Sequence, residues 1–335
     1  MSHLTFSRLR HSVLVKGLSE RAQLLASSRH FSIFAMIDVE ASGQCAADAA
    51  GDDIIVVHDF TRDQIDNNIG SYVANELLPL IAALRRANGC DEYGFGEHET
   101  FERYVGEIVR SIDGSERRAW HLYYDNTLAA LRAPALANGG NETPDFIGDF
   151  SAIYRRAAEL AAEVGPTTLL DAATCFGFLP LLLASNGAQA GNHDRPPRRI
   201  TACDLNPALV ALADDYARAR AMADVSFLRV DVLADDIEGE FAPLAPAFEV
   251  VTAVHLLEHL DAEQTPRAID NLWQLTRRRL IIAVPLEAAP DARFGHRQVF
   301  DEERLSALGE RTGGSCRFFE DHGGWLVVDR SGHQN

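Results

Sequence analysis

The stretch at residues 167–179 constrains the fold most, because it predicts a buried strand, a tight turn and a helix in immediate succession. The predicted strand contains Leu169 and Leu170 and ends at the acid Asp171, the turn holds mostly small residues and Gly177, and residues 181–184 form an apolar helix. A strand, a small-residue turn and a helix in this order form the ligand-binding corner of parallel α/β sheets. We therefore expect an α/β domain with a ligand at this corner.

The residues of this corner exclude two common nucleotide sites. No Gly-Lys-Ser or Gly-Lys-Thr follows the strand, which excludes a P-loop, and a pyrophosphate site needs three glycines where only Gly177 is present. The carboxylate of Asp171 would repel a phosphate, but it would attract an ammonium group or a hydroxyl. The corner therefore suits a zwitterionic or cationic nucleoside. The alternative interpretation is a strand–helix corner without a ligand.

Composition narrows the classes of function. The chain has 335 residues, of which 47% are hydrophobic and 24% charged, which is typical of one large or two modest folded domains. The formal net charge of −18 disfavours nucleic acid as a partner. The five cysteines are scattered without a Cys-x-x-Cys pair, which predicts reduced thiols in the cytoplasm. No apolar run approaches the roughly 20 residues of a membrane span.

The residue patterns divide the chain into three parts. Residues 1–53 are a poorly defined segment for which we expect a partly ordered N-terminal helix. Residues 54–142 begin with a short apolar run and continue with three segments of helical spacing, which predicts a small helical cap. Residues 143–335 alternate between strands and helices and close with two strands joined by a turn. This alternation predicts an α/β domain with a mostly parallel sheet and an antiparallel C-terminal edge.

At the corner described first, the chain resembles the class I S-adenosylmethionine-dependent methyltransferases. Their first motif is an acid followed by three spaced glycines, and here Asp171 matches the acid, Gly177 matches the last glycine, and Ala173 and Cys175 replace the other two. The resemblance covers about residues 150–330 and implies a Rossmann-like fold with S-adenosylmethionine as cofactor. The two replacements leave a second hypothesis open, a methyltransferase-like domain that has lost catalysis and serves as a binding or regulatory partner.

Acids also end the next two predicted strands. Asp204 ends the second strand and is placed to accept hydrogen bonds from both ribose hydroxyls, whereas the alternative is a helix N-cap. Asp231 ends the third strand, where the resemblance implies an acid that meets the adenine amino group and the alternative is a solvated loop acid. Three acids at three successive strand ends favour the cofactor interpretation. The predicted cofactor-binding residues are Asp171, Ala173, Gly177, Asp204, Asp231 and His255.

The fourth predicted strand is followed by His255-Leu-Leu-Glu258-His259-Leu, which resembles the Glu-His-Leu motif of the same family. His255 directly follows the strand and is expected to face the cofactor methyl, where a histidine can remove the proton of a hydroxyl acceptor. The loop after the fifth strand carries His296, which we expect to meet His255 and Glu258. The predicted catalytic residues are His255, His296 and Glu258; the alternative is that Glu258 and His259 only brace the loop.

The same side chains suit a second use, a metal site. A similar set of His and Glu residues binds a divalent metal in the small-RNA 2′-O-methyltransferases, and the matching residues here are Glu258, His259 and His296. We expect the metal-free route, because the Glu-His-Leu motif is frequent in relatives without a metal.

The resemblance implies O-methylation of a small molecule or a sugar hydroxyl, and in general character the chain resembles the mycofactocin oligosaccharide methyltransferases. Residues 54–142 are then the acceptor domain and residues 143–335 the cofactor-binding catalytic domain. We expect a small-molecule or oligosaccharide acceptor in a bacterial cytoplasm, without nucleic acid or membrane as a partner. The oligomeric state is left open.

Overall fold

The computed structural model describes residues 5–8, 22–36, 54–87, 96–133, 145–185, 197, 199–241 and 248–330. Contacts divide the chain into two units, Met1–Gly148 and Asp149–Asn335. Three expected loops lie wholly or mostly outside the described residues, at 41–53, 137–141 and 185–199.

The first unit contains a four-stranded sheet, which corrects the expectation of an N-terminal helix. The strand order is β1-β4-β3-β2, with β1 parallel to β4 and the other neighbours antiparallel. Phe31 and Ile33 are buried on either side of Ser32, a period of two that is typical of a strand. The strands are β1 Thr5–Arg8, β2 Ala22–Ser27, β3 Phe31–Met36 and β4 Ile54–His58.

The first of the three segments of helical spacing, which the sequence places at about residues 61–84, is interrupted in the structure. A 3₁₀ turn at Arg62–Gln64 precedes α1, and a π-helical turn at Val73–Leu77 separates α1 from α2. Pro79 follows the π-helical turn and has no N–H to donate to a carbonyl one turn earlier, which favours such an irregularity. Up to residue 133 the described helices are α1 Asn68–Tyr72, α2 Leu78–Ala87, α3 Glu97–Ser111 and α4 Glu116–Arg132.

The second unit is built on a seven-stranded sheet of order β10-β11-β9-β8-β5-β6-β7. Strands β5 to β9 are parallel, and β11 pairs antiparallel with both β9 and β10. This topology confirms the predicted Rossmann-like α/β fold with an antiparallel C-terminal edge. The strands are β5 Thr168–Ala172, β6 Arg199–Asp204, β7 Val225–Arg229, β8 Phe248–Val254, β9 Thr276–Val284, β10 Ser315–Glu320 and β11 Gly324–Asp329.

Helices connect the parallel strands, and apolar clusters lie on both faces of the sheet. Leu169 belongs to one buried cluster and Leu170 to the other, as expected from the alternation of side chains along a strand. No helix in the described ranges is long and apolar enough to span a membrane. The helices are α5 Phe146–Ala162, α6 Phe178–Ser185, α7 Pro207–Ala219, α8 Ile237–Phe241, α9 Thr265–Leu275 and α10 Glu302–Arg311.

Parallel strands bring their carboxyl ends to one edge of the sheet. The predicted site residues follow β5, β6, β7 and β8 at this edge, and the loop after β9 returns to it. The fold therefore gathers residues that lie far apart in the sequence.

Candidate active site

The turn between β5 and α6 has the backbone of a glycine-rich loop, although two of its residues are not glycine. The φ angle is 55° at Ala173, 52° at Cys175 and 73° at Gly177. A side chain in this left-handed region costs roughly 1–2 kcal/mol, because its Cβ approaches the following carbonyl oxygen. Ala173 and Cys175 therefore adopt the conformation that glycine would adopt with less strain.

Hydrogen bonds hold this strained turn in place. The N–H of Thr174 donates to the Cys203 carbonyl oxygen at 2.9 Å, and the N–H of Cys175 donates to Asp204 Oδ2 at 2.8 Å. The N–H of Gly177 donates to the Thr174 carbonyl oxygen at 2.8 Å. The turn is thus fixed to the end of β6.

Gly177 is the position in the turn where a side chain has no room. A Cβ added there would lie 2.5 Å from Cε1 of Phe227, at a φ of 73°. We expect Gly177→Ala to lower the free energy of unfolding by roughly 2–5 kcal/mol in urea denaturation, from backbone strain and overpacking together.

Gly165→Ala is a matched control for that measurement. Gly165 also has a positive φ, 55°, but a Cβ added there would meet nothing within 4 Å. Gly165→Ala should lower the free energy of unfolding by only roughly 1–2 kcal/mol. Equal losses in the two variants would show that Phe227 moves aside.

Asp171 lies beneath the turn with its carboxylate already engaged. Its side chain is 3% exposed. Oδ2 accepts a hydrogen bond from Thr174 Oγ1 at 2.6 Å, and Oδ1 accepts one from Thr252 Oγ1 at 2.6 Å. Burial raises the pKa of Asp171 to about 6, although both hydroxyls lower it. Direct contact with a cofactor stays a prediction, and the observed contacts instead brace the turn against β8.

Asp204 is more accessible than Asp171, which is buried. Its Oδ2 accepts from Cys175 N–H and its Oδ1 from Asn206 N–H, both at 2.8 Å. The backbone N–H of Leu205 also bonds this carboxylate. The two oxygens together have four lone pairs, so acceptor capacity remains for a further donor. Burial raises the pKa of Asp204, against the effect of these N–H groups. Asn206, not Asp204, caps α7 through the N–H of Ala208, so the N-cap alternative was wrong.

Asp231 follows β7 at the same edge of the sheet. Its side chain is exposed, and its Oδ1 accepts from the N–H of Leu233 at 2.8 Å. This placement fits both the adenine interpretation and the solvated-loop alternative.

The residues after β8 form one cluster with His296. A 3₁₀ turn at Leu257–His259 presents Glu258 and His259, and their ligand atoms and one of His296 all lie within 4.8 Å of one another. The rings of His259 and His296 are 5.1 Å apart between centroids. His255, with a φ of 55°, lies 3.6 Å from Glu258 between Nδ1 and Oε1. The structure therefore brings the predicted catalytic and metal-binding residues together.

Glu258 has an unusual electrostatic environment in this cluster. It is fully buried, and no other residue in the described part of the chain donates a hydrogen bond to either carboxylate oxygen. Burial raises its pKa to about 8, and the charge of Glu287 adds to this effect, whereas its own backbone N–H opposes it. A buried ionised carboxylate without a partner is costly. A bound cation would remove that cost.

His255 is held in its neutral form. Its Nε2 is buried and has no hydrogen-bond partner among the described residues. Burial lowers the pKa of His255 to about 3, and the nearby His296 and His259 lower it further. A base with so low a pKa accepts a proton poorly near neutral pH.

Two residues that sequence reasoning did not assign to the site support the cluster. Glu287 Oε2 lies 2.8 Å from His296 Nδ1. Gln298 Nε2 donates to the carbonyl oxygens of Leu257 and Leu260, both at 2.7 Å. These contacts join the loop after β9 to the turn after β8. No sequence motif signals such contacts between separate loops.

Comparison with known proteins agrees with the fold. No protein-family model matches the chain, and no curated protein does. An O-methyltransferase family protein from Burkholderia thailandensis has a similar structure, with a TM-score of 0.52, 16% identity, and coverage of 79% of this chain and 73% of that chain.

Two further solved structures align over shorter parts of this chain. The methyltransferase domain of bacterial CtHen1 has a TM-score of 0.43 and 15% identity over 54% of this chain and 99% of its own. Magnesium protoporphyrin IX methyltransferase from Synechocystis PCC 6803 with bound SAH has a TM-score of 0.42 and 16% identity over 57% of this chain and 90% of its own. The sheet topology and the likeness to the Burkholderia thailandensis protein together show that this chain has the Rossmann-like fold of the class I methyltransferases.

Proposed function

We propose that this chain transfers a methyl group from S-adenosylmethionine to a hydroxyl group of a small molecule or sugar. The observation that carries the proposal is the turn after β5, whose left-handed backbone is fixed by Asp204 beside the cluster-bearing edge of the sheet. The fold itself does not identify a reaction. We therefore infer the reaction from what these residues can bind.

The acceptor capacity at this edge fits the cofactor. The remaining acceptor capacity of Asp204 suits the ribose hydroxyls, and the exposed carboxylate of Asp231 suits the adenine amino group. Ala173 and Gly177 shape the turn, Asp171 braces it, and His255 lies at the neighbouring strand end. The turn adopts a left-handed backbone although Ala173 and Cys175 are not glycine, which favours a working cofactor site over the binding or regulatory alternative.

The chain has two tasks in this reaction. Bound S-adenosylmethionine supplies a methyl group on a positively charged sulfur, and S-adenosylhomocysteine leaves as the carbon–sulfur bond breaks and the carbon–oxygen bond forms. The protein must align the acceptor hydroxyl with that methyl group, and it must accept or release the hydroxyl proton.

The geometry of the cluster supports a metal-assisted removal of the hydroxyl proton over the metal-free route through His255. His255, the base of the metal-free route expected from the sequence, is half-buried and has its pKa lowered to about 3. Glu258, His259 and His296 instead have the donor set and spacing for a divalent cation, and the two Glu258 oxygens lack partners among the described residues. A cation bound there would lower the pKa of a hydroxyl. We therefore favour the metal-assisted route.

The charge of the chain favours one class of acceptor. The net charge of −18 favours a neutral small molecule or oligosaccharide over a nucleic acid. We propose that residues 54–142 take part in acceptor recognition, as expected from the sequence. A cytoplasmic location stays a prediction.

Titration calorimetry with S-adenosylmethionine and S-adenosylhomocysteine tests the cofactor part directly. We expect both compounds to bind to one site. When S-adenosylmethionine is present and a panel of sugars and polyols is added, we expect S-adenosylhomocysteine to form as the product. Absence of binding would refute the proposal, and binding without turnover on any acceptor class would favour the non-catalytic alternative.

A further inference from the structure

Glu287 contacts a ring nitrogen of His296, one of the three residues of the proposed metal site. Its Oε2 lies 2.8 Å from Nδ1 of His296, whose side chain is 7% exposed while that of Glu287 is 23% exposed. An ionised carboxylate only accepts hydrogen bonds, so Nδ1 must carry the proton of the neutral imidazole. The lone pair of His296 is then on Nε2.

We propose that Glu287 is a positioning residue that holds His296 in the tautomer and ring orientation needed to bind a divalent cation through Nε2. The inference rests on the metal site of the proposed function and adds an outer partner to it. A histidine ligand that donates its second N–H to a carboxylate is held in one orientation and becomes more basic. Without that acceptor, the tautomer with a protonated Nε2 competes, and this form cannot bind a metal through Nε2.

Asp291, a second acid in the loop that carries His296, does not replace Glu287 as the acceptor for Nδ1–H. The carboxylate of Asp291 is engaged by the guanidinium of Arg293, with Nη2 to Oδ2 at 2.6 Å and Nε to Oδ1 at 2.9 Å. The backbone carbonyl of Asp291 accepts the N–H of His296 at 3.1 Å, and the charge of His296 helps to lower the pKa of the Asp291 carboxylate. Among the described residues, Glu287 is the carboxylate at hydrogen-bond distance from the His296 ring.

The backbone that carries His296 is held independently of Glu287. The N–H of Arg297 donates to the Glu258 carbonyl oxygen at 2.7 Å, and Gln298 Nε2 is bonded to Leu257, Leu260 and Thr265. Substitution of Glu287 should therefore disturb the histidine ring and leave the loop in place. This separates a positioning role from a purely structural one.

The test titrates Co²⁺ alone into the full chain and follows both heat and visible d–d absorption. We expect Glu287→Ala to weaken Co²⁺ binding by roughly 10–100-fold, the usual effect of losing an outer partner of a ligand. Glu287→Gln should lose less, because its amide oxygen still accepts from Nδ1–H. The affinity for Co²⁺ should therefore fall from the wild type to Glu287→Gln and further to Glu287→Ala. A purely structural role would not produce this partial rescue by glutamine.

Two control variants assign the signal. Glu258→Gln removes a proposed ligand and should abolish the visible band, which identifies the site that is being titrated. Asp261→Asn removes one negative charge near the cluster, from a side chain that pairs with Arg297 at 2.9 Å, and should leave the affinity within about threefold, since it contacts no ligand ring. If Glu287→Ala does not fold, Glu287→Gln and Glu287→Asp carry the comparison.

The outcomes separate this inference from the proposed function. Wild-type affinity in both Glu287→Ala and Glu287→Gln would overturn the role of Glu287 and leave the metal site standing. A wild-type chain that binds no Co²⁺ would overturn the metal site and this inference together, while calorimetry with S-adenosylmethionine would still decide the cofactor. A loss in Asp261→Asn equal to that in Glu287→Gln would reduce the effect to charge and refute a specific contact.

Discussion

Removal of divalent cations with EDTA will abolish methyl transfer by this chain, and added Mg²⁺ or Mn²⁺ will restore it. The physical reason is the isolation of Glu258, a fully buried carboxylate that no other described residue bonds, beside the imidazoles of His259 and His296. The measurement is the release of S-adenosylhomocysteine with whichever sugar or polyol supports turnover. Glu258→Ala should lower that rate by at least about 10²-fold, because a metal ion supplies several kcal/mol to such a step.

His255→Ala is the matched variant for the choice of proton route. His255 lies beside the same carboxylate, but its lowered pKa makes it a poor base, so we expect less than roughly a tenfold loss of turnover. Insensitivity to EDTA, with a loss of roughly 10²–10⁴ in His255→Ala, would instead establish the metal-free route. Full activity of both His255→Ala and His296→Ala would mean that neither route is correct.

Asp204→Ala should weaken the binding of S-adenosylmethionine by about 10²–10⁴-fold. The carboxylate keeps acceptor capacity beside its backbone hydrogen bonds, and charge-assisted hydrogen bonds contribute roughly 1.5–3 kcal/mol each. Two such bonds correspond to the stated loss of affinity at about 1.4 kcal/mol per factor of ten. Titration calorimetry measures the change.

Controls must separate ribose binding from support of the turn, because Asp204 also holds the N–H of Cys175. A 2′,3′-dideoxy analogue of S-adenosylhomocysteine should bind weakly to the wild type, and Asp204→Ala should weaken it no further. Asp214→Asn removes an acid of the following helix that pairs with Arg218, and it should bind the cofactor normally. If Asp204→Ala weakens both compounds equally, the residue acts through the turn and not through the ribose.

Long-range pairing explains the main error of the sequence analysis. The first unit was expected to begin with a helix, yet residues 5–8 form β1, and β3 lies between β2 and β4. The strands of this sheet are short, and only alternation such as that of Phe31 and Ile33 marks them. Strand pairing depends on partners that are distant in the sequence, so a short strand has a weak local signal.

Local pattern was sufficient for the second unit, because its strands are apolar runs bounded by helices and its turn residues are small. The end of each parallel strand lies at the same edge of the sheet, so the order of Asp171, Asp204, Asp231 and His255 along the chain predicted that they would share it. This rule needs no knowledge of side-chain contacts.

Only the tertiary structure decided what each of these side chains can do. Thr252, on a neighbouring strand, occupies one oxygen of Asp171. Glu258 is enclosed without a hydrogen bond from another described residue, and Glu287 meets His296 across a loop. Burial and hydrogen bonding between distant segments arise from packing, which has no local sequence signature, and they set the charge state and the free lone pairs on which binding depends.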